Sequence, residues 1–292
     1  MRHAIGIDVG GTHTRVALID EQLCIIKQSI VSTQQFEVAD DFLKQVALMV
    51  DEVDALRLAD KIGVVLPAPW HARQEAITDI TNVLYLEGLE ISGFRSYFPN
   101  HTLSFENDVN VVALLETAHG VTSGLANVLY ITVSTGVGSG MVLNGHLYHG
   151  AKGYAGEVGS MYILGTDETF ESRCSGLALD AKSRKLYGKH ADARALFEKY
   201  ALGDSLAVDV IDVWLSQVAD ALASLIHILN PDVIILGGAV ISHNAWVIEA
   251  IAPLVEKKVF AGLRGQTKVV CSHYGADSGV LGAANLVFEL EE

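Results

Sequence analysis

The sequence predicts an α/β protein built from two similar halves, and three observations carry that reading. A strand, a glycine turn and a second strand occur near residue 8 and again near residue 134. Each time, alternating helical and strand patterns follow, so the order reads βββαβα twice. The two openings can be laid over each other, with Ile7-Asp8-Val9-Gly10 on Val133-Ser134-Thr135-Gly136.

In the first half, residues 4–9, 14–20 and 23–31 read as three strands of an antiparallel meander. A helical pattern covers about 38–56, then a strand 61–66, a helix near 90–97, a strand 102–106 and a helix 109–119. In the second half, 127–134, 139–145 and 146–150 form another meander, with Asn144-Gly145 as a hairpin turn. Helical segments at about 175–201 and 205–229 follow. A strand 232–238, a helix near 246–258, a strand 267–272 and a helix from Ser278 complete the chain. The halves divide into an N-terminal lobe, 1–118, joined by the C-terminal helix 278–292, and a C-terminal lobe, 119–277. A cleft between such halves is a natural ligand site.

Composition narrows the function. Half of the 292 residues are hydrophobic and 19% are charged, as in a globular protein. The net charge of −15 repels phosphodiester backbones, which argues against nucleic acid as a partner. A polyanion such as ATP binds such a surface only where backbone amides and a divalent cation reverse the local field. No apolar stretch has the length of a signal peptide or a membrane span. Three widely spaced cysteines, Cys24, Cys174 and Cys271, suggest reduced thiols and a cytoplasmic setting.

Five segments carry chemistry. In Asp8-Val9-Gly10-Gly11-Thr12 the two glycines let consecutive N–H groups face a phosphate, Thr12 adds a hydroxyl, and Asp8 can hold Mg²⁺ through water. An ordinary hairpin would look the same. Ser134-Thr135-Gly136-Val137-Gly138-Ser139-Gly140 is a second loop dense in small donors. It is neither a Walker loop nor a Rossmann fingerprint, since a strand follows it. Leu236-Gly237-Gly238 ends a strand and would admit the adenine–ribose end of ATP, although a helix cap reads the same way. Glu106-Asn107-Asp108 closes a strand and opens a helix, where Asp108 can accept a hydroxyl proton and Asn107 can hold a neighbouring hydroxyl. Both residue types are also common helix caps. Glu157, in a glycine-rich turn, and Glu171 complete the carboxylates suited to vicinal hydroxyls.

Together these segments resemble the ROK family of bacterial sugar kinases, from Asp8 to about Gly282. The resemblance rests on Asp8-x-Gly10-Gly11-Thr12, Glu106-Asn107-Asp108, the Gly136-x-Gly138-x-Gly140-Met141 loop with Gly150 beyond it, Gly156-Glu157-Val158-Gly159, Glu171 followed by Cys174-Ser175-Gly176, and Leu236-Gly237-Gly238. It implies a duplicated actin-like ATPase (ribonuclease H-like) fold, MgATP between two lobes, Asp108 as catalytic base and a homodimer. It further implies sugar contacts from Asn82, Asn107, Asp108, Glu157 and Glu171.

Three departures stand out. Ser160 replaces the usual His after Glu-x-Gly, and His13 replaces the usual Lys. Residues 161–170 contain neither Cys nor His where the family has a zinc segment, so no structural zinc is expected. Packing by Tyr162, Ile163, Leu164 and Phe170 should hold that segment instead. The activity expected is phosphorylation of the 6-hydroxyl of a hexose or N-acetylhexosamine, with glucose and N-acetylmannosamine ahead of fructose, allose or a β-glucoside. Ser160 would leave space for a 2-acetamido group. The rival readings are a non-catalytic sugar sensor and a ROK transcriptional regulator, which would carry an additional DNA-binding domain.

Overall fold

The computed structural model describes residues 2–163 and 165–289. The backbone divides into two compact units. The first comprises Met1–His119, His149–Ala155 and Ala276–Glu292, the second Gly120–Tyr148 and Gly156–Gly275. Residues 149–155, which the sequence pattern assigns to the second half, thus lie in the first unit.

The first unit holds β1 (His3–Val9), β2 (His13–Asp20), β3 (Ile25–Ser32), α1 (Ala39–Val53), β4 (Lys61–Leu66), α2 (Ile91–Arg95), β5 (Thr102–Asn107) and α3 (Asp108–His119). Its sheet runs β3-β2-β1-β4-β5, antiparallel across the first three strands and parallel from β1 to β5. Helix α1 buries Phe42, Leu43, Val46, Met49, Val50 and Val53, a stripe at helical spacing that packs over β2 and β3.

The second unit holds β6 (Val128–Val133), β7 (Val137–Leu143), β8 (His146–Leu147), α4 (Phe170–Cys174), α5 (Gly176–Tyr187), α6 (Ala193–Ala201), α7 (Ser205–Leu229), β9 (Val233–Gly237), α8 (Ala239–Ser242), α9 (Trp246–Lys258) and β10 (Lys268–Cys271). Its sheet, β8-β7-β6-β9-β10, repeats the pattern of the first, with two antiparallel pairs and then two parallel ones. Helix α7 is capped by Asp204, which accepts from Ala207 N–H, and stopped at Asn230 in the left-handed region (φ 46°).

Helix α10 (Ser278–Glu289) returns to the first unit and covers β1 and β4 with Val280, Ala283, Ala284 and Val287. The approach is close because Gly6 and Gly63 face it. A Cβ on Gly63 would run into the Ala283 carbonyl.

The structure corrects several expectations. The helical stretch expected at 175–201 is two helices, broken at Gly188, whose φ of 99° no helix accommodates. The strand expected at 146–150 ends at Leu147, where the chain leaves for the first unit. Helices α4 and α8 are too short to leave a periodic pattern. The overlay of the two openings is displaced by two residues. The hairpins close on Val9–Thr14 and on Val133–Val137, so Val9 corresponds to Val133. Four residues fill the first turn and three the second. In the segment 161–170, Phe170 is buried and Met161 packs against the core, but Tyr162 is exposed. A backbone bridge between Tyr162 and Thr169 and a Thr169–Ser172 capping box hold the segment. Leu164 lies outside the described residues.

Candidate functional site

Two clusters of site residues form, one in each unit. In the first, parallel pairing of β1, β4 and β5 sets their C-terminal ends side by side, with Asp8 opposite Val65 and Leu66 opposite Asn107. Ligand groups in open α/β sheets collect at such ends.

Asp8 is the penultimate residue of β1 and its side chain is 13% exposed. Burial pushes its carboxyl up to about 6, partly offset by Arg15, with Asp277 adding to the rise. Arg15 is its cross-strand partner, Nη1 standing 3.5 Å from Asp8 Oδ2. Gly279, at the start of α10, faces the Asp8 carboxylate so closely that a Cβ would displace it. The turn after Asp8 is closed by Gly10 N–H donating to His13 O at 3.1 Å, and Thr12 O accepts from Thr33 N–H. Gly11 lies against the Asn82 side chain, so Asn82 joins this cluster. An enclosed carboxylate beside a second one suits a hard divalent cation that keeps part of its water shell.

Asn107 ends β5 and Asp108 starts α3. Asn107 Oδ1 accepts from Val109 N–H (2.9 Å) and Asn110 N–H (3.1 Å), and its Nδ2 donates to Ala68 O at 3.1 Å. Asn107 is therefore the cap of α3, and its amide oxygen is committed to the helix. Asp108 Oδ1 accepts from Val109 N–H at 3.0 Å. Behind them Glu106, 4% exposed, accepts from Asn107 N–H and Asn110 Nδ2, both at 2.9 Å. Its other oxygen lies 2.7 Å from His149 Nε2.

In the second unit, Ser134, Thr135 and Gly136 make the β6–β7 turn, and Gly138 pairs with Thr132. Ser134 O and Thr135 O accept from Gly176 N–H and Leu177 N–H, which ties the turn to the start of α5. Gly237 pairs with Thr132 across β9 and β6. Gly238, at φ 85°, presses on Thr132 and the Val133 carbonyl, where no side chain fits. Glu171 on α4 reaches the same turn, its Oε2 accepting from Val137 N–H at 2.8 Å beside Gly136. Glu157 is exposed, yet desolvation by its turn, and secondarily the Glu171 charge, hold its carboxyl above the ordinary range. Ser160 ends the same short turn, exposed, its N–H donating to Glu157 O.

The first cluster thus gathers Asp8, Gly10, Gly11, Thr12 and Asn82 on one side and Asn107 and Asp108 on the other. The second gathers Ser134, Thr135, Gly136, Gly138, Gly237 and Gly238 with Glu157, Ser160 and Glu171. Sequence reasoning missed Arg15, His149, Asp277 and Gly279. Only Arg15 left a signal, since a hairpin closing after Val9 sets it opposite Asp8. Among the described residues, no group of three or more His, Cys, Asp or Glu is placed to hold a metal by itself. No helix there is long and apolar enough to cross a membrane.

Comparison with known proteins agrees with this architecture. The glucokinase of Thermotoga maritima is 26% identical over 98% of this chain and 97% of its own. N-acetylgalactosamine kinase AgaK of a Shewanella species is 28% identical over 96% of this chain and 95% of its own. The crystal structure of a ROK hexokinase from Thermus thermophilus superposes with a TM-score of 0.84 at 26% identity, covering 99% of both chains. The repeated sheets are those of the duplicated actin-like ATPase fold. Residues 4–289 match the model of the ROK family, almost the whole of both units, and to that family the chain belongs.

Proposed function

We propose that this protein transfers the γ-phosphoryl group of MgATP to the 6-hydroxyl of a hexose or N-acetylhexosamine, with Asp108 as general base. The observation that carries the reading is the position of Asp108. It starts α3 directly after the C-terminal end of β5, a strand of the same sheet whose central strand carries Asp8 as its penultimate residue. Full-length relatives named glucokinase and N-acetylgalactosamine kinase support the substrate class.

Phosphoryl transfer asks a protein mainly for positioning and charge neutralisation. Asp108 accepts the proton of the attacking hydroxyl, and the spare N–H of Asn107 Nδ2 orients a neighbouring one. Asn82, Glu157, Glu171 and Ser160 take the remaining hydroxyls. Glu171 also braces the β6–β7 turn through Val137 N–H. Backbone N–H groups at Gly11 and Thr12, and at Thr135, Gly136 and Gly138, offset phosphate charge, with the Gly10 and Ser134 N–H groups closing the two turns onto His13 O and Gly136 O, while Gly237 and Gly238 leave room for the nucleoside. Asp8 would hold Mg²⁺ through water, and that ion supplies charge neutralisation on the phosphoryl oxygens.

Glucose and N-acetylmannosamine lead the candidate sugars, since Ser160 is short where a bulkier residue would fill the acetamido space. The three cysteines are all free, in keeping with a cytoplasmic enzyme. We read the working form as a homodimer. An ADP-release assay over hexoses and N-acetylhexosamines tests the proposal. Turnover with at least one of them is expected, and its absence throughout a panel whose members bind would make the protein a sensor.

A further inference from the structure

Residues 149–155 leave the second unit after Tyr148, lie in the first, and return at Gly156. Three contacts hold them there. His149 Nε2 bonds Glu106 Oε2 at 2.7 Å. Gly153, at φ 85°, lies on the backbone of Trp70, where any side chain would collide. The Tyr154 hydroxyl donates to the Asp79 carboxylate.

The first contact touches the chemistry. Glu106 immediately precedes Asn107-Asp108, and both of its oxygens are used. One accepts from Asn107 N–H and Asn110 Nδ2, the other meets His149. Among the described residues no lysine or arginine pairs with Glu106. A carboxylate this deeply buried is costly unless its charge is matched and its lone pairs are filled. The imidazole fills that role, and the bond to Glu106 holds His149 above its ordinary range.

We infer that His149 is a positioning residue for the Asn107–Asp108 pair: by anchoring Glu106 it fixes the β5–α3 corner that carries the base. The inference rests on Asp108 being that base. Glu106 reaches the corner at two points, the amide of Asn107 and the side chain of Asn110, so it locks strand end and first helical turn together. Without His149 one oxygen of the buried carboxylate loses its partner, and the side chain is held only through Asn107 N–H and Asn110 Nδ2. The corner then loosens, and a misplacement of about 1 Å can cost roughly 10²-fold in rate.

The test compares His149→Ala, His149→Gln, Glu106→Gln and the His149→Ala/Glu106→Gln double variant, with Asp108→Asn in parallel. His149→Ala should lower kcat by about 10–100-fold while KM for ATP stays within about twofold, because the glycine turns are untouched. His149→Gln, which restores an N–H donor to Glu106, should recover most of that loss at an unchanged thermal midpoint. The double variant should be little worse than His149→Ala, as expected for two groups acting through one bond. Wild-type kcat in His149→Ala, strictly additive losses in the double variant, or equal loss of kcat and thermal midpoint in both His149 variants would overturn the inference. If Asp108→Asn keeps its turnover, the base assignment falls and this inference with it. If Asp108→Asn is inactive and His149→Ala is normal, only this inference falls.

Discussion

In the first sheet the hairpin of the central strand sets Asp8 opposite Arg15, one step before its closing pair; in the second, the same position holds Thr132 opposite Gly138. The strand orders are the same, and in each unit a glycine at the start of a later helix presses on that spot, Gly279 on Asp8 and Gly238 on Thr132. The first copy encloses a carboxylate, while the second removes side chains and leaves backbone N–H groups. One frame used twice therefore carries two kinds of polar group at the same place, a carboxylate in one copy and a glycine-lined turn in the other. Asp108, the base we propose, also falls in the copy that carries the enclosed carboxylate.

Substitutions in the two copies should have different consequences. The largest effect is expected for Asp108→Asn, which keeps the shape but cannot take a proton. Turnover should fall by at least about 10²–10⁴-fold with sugar binding retained, measured by ADP release and by sugar titration.

Asp8→Asn should separate activity from stability. Its folded pKa of about 6 lies above the ordinary unfolded value, so the folded protein binds the extra proton. That favours the folded state in acid and is lost as pH rises from about 4 to 6. Above that window the ionised side chain costs on the order of 2–3 kcal/mol. The variant should therefore melt higher than wild type at pH 7.5, less whatever the lost Arg15 partner takes back, and lose MgATP turnover. The difference in melting should vanish near pH 4. In wild type, KM for MgATP should rise as pH drops through about 6, and a flat profile would count against Asp8 as the metal-side carboxylate.

In the second copy, Gly238→Ala combines a positive φ with contact on Thr132 and Val133. A loss of about 1–3 kcal/mol in stability is expected, read from the thermal midpoint, together with weaker ATP binding. Glu171→Gln keeps an acceptor for Val137 N–H but removes a charge. KM for the sugar should rise roughly tenfold, and the Glu157 carboxyl, followed by NMR titration, should move down towards its usual range. The smallest change is expected for Ser160→His, an exposed position. It should lower kcat/KM for N-acetylmannosamine relative to glucose by about tenfold or less. An unchanged ratio would remove the acetamido pocket while leaving the kinase reading intact.

Much of this was legible in the residues because its signals are local. Residues 4–9 and 127–134 are short apolar runs that end at glycine turns, and the stripe from Phe42 to Val53 has helical spacing. The doubled order followed from those patterns. What remained hidden depends on distant pairing. His149 and Glu106 are 43 residues apart in sequence, and nothing near His149 marks it as a partner. Gly279 shapes the Asp8 pocket from the other end of the chain. Asn107 shows a different difficulty, since the same residue type serves a helix cap and a hydroxyl contact. The structure commits its oxygen to the cap.

The first unit is assembled from three stretches of chain, and the last of them, α10, covers β1 and β4 over Gly6 and Gly63. Until residues 276–289 have left the ribosome, that face of the N-terminal sheet has only α3 beside it, which reaches β4 and β5. The half made first must therefore finish last, waiting through synthesis of the whole second unit, which lacks only the short 149–155 excursion for continuity. At roughly 5–20 residues per second the wait is on the order of ten seconds or more, during which an apolar sheet face is open to chaperones or to aggregation.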